Sequence, residues 1–112
     1  MDPAPLLDRV TDDEGLTAGL DEAEATLLVA ALSSRVRALA TGTTDAARAR
    51  RQTEELCRLA RQIARAAVSL RDGGEPAARA AAAQAGLRWP PGAKTAGDVV
   101  RRLLGALDRT PA

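Results

Sequence analysis

The sequence predicts an all-α fold, a compact bundle of four to five helices built on a long antiparallel helical hairpin. Three observations carry that expectation. Alanine and leucine supply 26 and 15 of the 112 residues, and with 15 arginines they make the chain rich in strong helix formers. β-branched residues are sparse, and no run alternates apolar and polar side chains long enough for a strand. The stretch 45–72 (DAARARRQTEELCRLARQIARAAVSLRD) holds neither Gly nor Pro, and its apolar residues Leu56, Leu59, Ile63, Ala67 and Leu70 recur every three or four positions. As a helix it would be about 40 Å long.

The first element is a short helix over 3–11. Asp2-Pro3 reads as an N-cap with Pro at the first helical position, and Leu6, Leu7 and Val10 form one face. Asp12-Asp13-Glu14-Gly15 ends it, and Leu16 and Leu20 anchor the connection that follows. Asp21 is the next N-cap, with Glu22 and Glu24 in the first turn where the helix dipole favours anions. That helix, 21–41, carries Leu28, Val29, Leu32, Val36 and Leu39 as its main stripe, and Leu27 and Ala31 widen the stripe beyond what one neighbour covers. A helix this broadly apolar is either central to the bundle or shared with a second chain.

A short break at 42–44 leads into 45–72, so the two helices form an antiparallel hairpin. Glu54 and Arg58 stand four apart in the favourable order. Gly73-Gly74 stops the long helix, Glu75-Pro76 opens another, and the alanine-rich run 77–85 needs a close neighbour because a helix of about ten residues is marginal alone. The loop 86–94 (GLRWPPGAK) precedes a last helix capped by Thr95, with Asp98 at its third position and an apolar face of Val99, Val100, Leu103, Leu104 and Leu107. Residues 110–112 are expected to fray. The whole chain, 1–112, reads as one domain.

Composition excludes much chemistry. There is no His, and Cys57 is the single Cys, so an intrachain disulfide, a Cys/His zinc site and any imidazole mechanism are out. No catalytic, cofactor-binding or metal site is predicted. The N-terminus lacks a signal-peptide pattern and the most apolar window, 27–32, is too short for a bilayer, so a cytoplasmic location without membrane contact is expected. Charge is unevenly placed: residues 1–24 hold eight acids against Arg9, and residues 25–112 hold fifteen bases against seven acids. The favoured reading is an acidic front packing on the basic remainder; an acidic partner is the other.

Five features are candidates for function. Arg51, Arg58, Arg61 and Arg65 fall on the face of 45–72 opposite its leucines and could contact phosphates or acidic side chains, although a solvated face is commoner and the stacking aromatics of nucleic-acid surfaces are missing. The acidic block Asp12, Asp13, Glu14, Asp21, Glu22, Glu24 matches no Ca²⁺ loop and reads as capping and solubility. Trp89, stiffened by Pro90-Pro91, is either a binding anchor or a plug at the end of the core. Cys57 reads as a buried, inert thiol. Arg35 projects from the edge of the 21–41 stripe, towards a second chain or simply to water. The expected function is a small non-enzymatic interaction or assembly module, self-associating or bound to a protein partner through Leu27, Ala31, Arg35 and Trp89. The alternative is a small accessory nucleic-acid binder using the four arginines.

Overall fold

The computed structural model describes residues 4–11 and 15–109. Their order is α1 (Ala4–Thr11), α2 (Glu22–Gly42), α3 (Ala46–Gln84), α4 (Ala96–Leu103) and α5 (Gly105–Asp108), with no strand among the described residues. Asp2-Pro3, the acids Asp12, Asp13 and Glu14, and the tail 110–112 lie outside the described residues.

Two aspartates start the two long helices. The Asp21 carboxylate accepts from the Glu24 N–H at 2.7 Å, and Glu24 Oε1 accepts from the Asp21 N–H at 3.0 Å, a reciprocal capping box. Asp45 Oδ1 accepts from the N–H groups of Ala47 and Arg48. Only residues 43–45 separate α2 from α3, so α3 must double back along α2. The closure is visible at the far end, where Arg71 of α3 meets Glu24 in the first turn of α2. The α3 phase is as expected: Leu56, Ile63 and Ala67 are fully buried, Leu59 and Leu70 half-buried, and Arg58 and Arg65 exposed.

At the Gly73-Gly74 pair the long helix is interrupted, as expected: Gly74 has φ 78° and ψ −175°, outside the helical region, and a second helical arm then runs on to Gln84. A straight helix of 39 residues would be about 58 Å long, whereas the longest dimension of the molecule is 43 Å. The second arm therefore turns away, led by Pro76, and buries Ala78 and Ala82. The last helix, expected as one piece, divides at Leu104. The Leu107 N–H bonds the Leu104 carbonyl at 3.0 Å, a tighter i→i+3 turn, and Gly105 in between is a poor helix former.

The core is aliphatic. Leu16, Leu28, Leu32, Leu39, Leu56, Ile63, Val99, Val100 and Leu107 are all at or below 1% exposure, and buried alanines at 49, 60, 66 and 67 line the inner side of α3. Both α2 and α3 touch every other helix, so the hairpin is the frame on which α1, α4 and α5 are laid. Leu16 anchors the 15–20 segment as expected, and Gly19 (φ 86°) brings its backbone against Val68: a Cβ there would stand 3.0 Å from Val68 Cγ2. No described helix is long and apolar enough to cross a membrane.

Candidate functional site

Helix α2 buries Leu28, Leu32, Val36, Leu39 and Ala40 along one side. Its opposite side is exposed at Ala23, Thr26, Leu27, Ala30 and Ser34. These five follow helical spacing over about three turns and none is charged. Glu22 and Arg37, both exposed, bound the strip. Neither makes an ion pair with another described residue. Leu27, at 37%, is the exposed large hydrophobic side chain of the described residues. One edge of the strip opens into a depression lined by Thr17, Ala25, Thr26, Val29 and Ala30.

Successive steps of four residues rotate about 40° around a helix. Leu27 thus faces water, while Ala31 and Arg35 drift towards the flank and are half-buried, Ala31 packing against the core. Three of the residues expected at a contact surface therefore share one side of α2 but at graded depth. Trp89 is held elsewhere: the Arg79 guanidinium, on the second arm of α3, lies 5.7 Å from its ring centroid. Arg79 is itself held by Glu75 at 2.7 Å. The indole N–H is buried and meets no acceptor among the described residues.

The arginine face of α3 is exposed at Arg51, Arg58, Arg61 and Arg65. Arg58, Arg61 and Arg65 line one depression together with Gln62, and Arg61 and Arg65 also wall a second with Gly15, Ala18 and Val68. Arg51 joins neither. Arg58 pairs with Glu55 one turn away, its Nε donating to Oε2 at 3.1 Å. That bond to the guanidinium holds the Glu55 carboxyl below its ordinary value and raises Arg58. The expected partner of Arg58, Glu54, is engaged instead by Arg9 of α1 at 2.6 Å. The two glutamates thus temper the positive face rather than leaving it bare.

A third feature was not foreseen. Asp21, Glu24, Arg71, Lys94 and Thr95 line a groove between the starts of α2 and α4. Both helix starts are already capped, α4 by Thr95 Oγ1 accepting from the Asp98 N–H at 3.1 Å. Two acids and two bases line the groove, so it has no net preference for an anion. Its signal in the sequence is only the two caps; the meeting of residues 24, 71 and 94 is purely tertiary. Cys57 is buried, as expected of an inert thiol. The described residues contain no cluster of three or more His, Cys, Asp or Glu able to hold a metal ion. No protein-family model, curated protein or solved structure matches this chain.

Proposed function

We propose that this protein is a small non-enzymatic interaction module whose docking surface is the solvent side of α2. One observation carries the reading. In a chain with 28% charged residues, the exposed strip Ala23, Thr26, Leu27, Ala30, Ser34 has no charge at all. The exposed sides of α3 and α4 are studded with Arg, Asp and Glu. A lone exposed leucine would mean little. Depletion of charge around an apolar residue is the compositional mark of an interface centre. Ala31 and Arg35 form the flank of the surface, and Trp89 serves the fold through Arg79.

The reading is tested by placing a photo-activatable side chain at Leu27 of the full chain and irradiating the cells that make it. Protein adducts at position 27, with none from the same group at Arg51, are expected. No protein adduct at 27, or equal labelling at both positions, overturns it.

A second reading is favoured by one observation, the shared depression of Arg58, Arg61 and Arg65. Under it, the chain retards nucleic acid in a mobility assay, retardation weakens steeply between two salt levels, and Arg58→Glu with Arg65→Glu abolishes it. The pairing of Arg58 with Glu55 and the absence of Phe and Tyr weigh against it.

A further inference from the structure

Resting on the interaction surface just described, we infer that its occupant is a second copy of this chain, docked α2 against α2 in antiparallel sense about a two-fold axis at Ala30. The two charges that bound the strip are placed to fix this geometry. Glu22 lies eight residues before Ala30 and Arg37 seven after it. An antiparallel pair centred on Ala30 therefore brings Glu22 of one copy to within about one residue, or 1.5 Å of axial rise, of Arg37 in the other. The symmetry makes this contact twice. A parallel pair would instead set Glu22 against Glu22 and Arg37 against Arg37, so the charges select the antiparallel arrangement. Both groups are exposed and in no ion pair with another described residue, so each is available.

The rest of the strip fits the same axis. Thr26 and Ser34 stand four residues on either side of Ala30 and oppose each other across the two-fold. Alanine at the centre lets the two backbones approach closely. Leu27 lies to one side of the centre line, and the operation sets it beside Ala31 and Ser34 of the other copy. A self-complementary patch of this kind is what an isologous two-fold contact requires.

The test uses complementary charge reversals in the full chain, followed by sedimentation across concentration. Glu22→Arg alone and Arg37→Glu alone each put like charges at both rim contacts and weaken self-association about tenfold. An equimolar mixture of the two variants restores it, because the two introduced side chains then pair at one rim contact and the native Glu22 and Arg37 pair at the other. Circular dichroism shows whether either variant is still helical. Ala30→Cys gives an independent readout: cysteines on the axis oxidise to a covalent dimer, and Arg51→Cys does not. Association without rescue in the mixture, or equal cross-linking at 30 and 51, overturns the antiparallel geometry. A monomer at all concentrations, combined with adducts from position 27 to a different protein, overturns self-association and leaves the interaction surface standing. Absence of any adduct at 27 removes both.

Discussion

Arg71 reaches Glu24 across the hairpin, Nη1 to Oε1 at 3.4 Å, although 47 positions separate them in the chain. The same guanidinium donates to the Gly19 carbonyl. Glu24 is only 6% exposed, and its Oε1 also closes the capping box with Asp21. One carboxylate thus joins the start of α2, the segment before it and the middle of α3. A buried carboxylate is tolerable because both an N–H and a guanidinium satisfy it.

Glu24→Ala is expected to cost about 1–2 kcal/mol, since it removes the cap and leaves Arg71 without its partner in α2. Glu24→Gln keeps an acceptor of the same length and should lose less than half of that. Urea unfolding of the two variants checks the order. Equal losses would show that charge, not capping, dominates.

The bend of α3 depends on Gly74. Its φ of 78° with ψ of −175° lies in a region that side chains other than glycine rarely enter. Gly74→Ala should destabilise by about 1–3 kcal/mol. Gly105 has ordinary dihedrals, and a Cβ there meets nothing within 4 Å. Gly105→Ala should therefore stabilise by about 0.4–1 kcal/mol by restricting the unfolded chain. Opposite shifts in melting temperature for two Gly→Ala changes are the expected readout.

These contrasts show what local pattern reveals. The caps at Asp21 and Thr95 and the phase of Leu56 and Ile63 depend on spacing within one helix, and all were legible. The interruption at Gly73-Gly74 and the new helix opened by Glu75-Pro76 were legible too, but not the direction of the second arm, which depends on where Ala78 and Ala82 are buried. Glu54 was legible as a partner for Arg58 by spacing, yet Arg9 takes it once α1 packs on the hairpin. Arg71–Glu24 left no trace in the sequence, since nothing local links residues 47 apart.

Adjacent leucines on α2 should behave differently. Leu28 is fully buried, so Leu28→Ala should cost about 2–5 kcal/mol through lost contacts and a cavity. Leu27 faces water, and Leu27→Ala should leave the folding stability of the monomer within about 0.5 kcal/mol. Denaturant unfolding at low concentration measures the fold alone. A large loss at Leu27 would mean that its side chain is part of the core.

The Arg58–Glu55 pair has a pH signature. Its bond to Arg58 lowers the Glu55 carboxyl in the folded chain. The unfolded chain binds that proton more readily, so the pair stabilises above the ordinary glutamate range, and the benefit fades as pH falls through the lowered folded value. Both side chains are about half exposed, so screening keeps the effect below about 0.5 kcal/mol. The stability difference between the native chain and Glu55→Gln should be present near pH 7 and absent well below the carboxylate range. A difference that grows on acidification would reverse the assignment.

The candidate surface was legible only as an excess of apolar residues on α2. Which side of that helix stays wet depends on where α1 and α4 dock. Leu27 was expected at the margin of the stripe and Val29 within it; the bundle leaves Leu27 exposed but only half-buries Val29. Trp89 was ambiguous, because an anchor and a plug have the same composition.

Trp89 is a built-in reporter of the joint between α3 and α4. It is the one aromatic residue of the chain, half-buried under Arg79, and it sits on the segment that joins the bent arm of α3 to α4. Its fluorescence reports that segment without interference. Arg79→Ala should uncover the ring face, move the emission to longer wavelength and cost about 0.5–1 kcal/mol. Arg79→Lys keeps the charge but not the planar stack, and should fall between. If copies associate through α2, dilution should leave the emission unchanged, because the ring is anchored to α3 and not to the solvent side of α2. An emission shift on dilution would bring Trp89 into the docking surface. An unchanged spectrum in Arg79→Ala would show that the cation contributes nothing to holding the indole, leaving apolar contact with the core to do so.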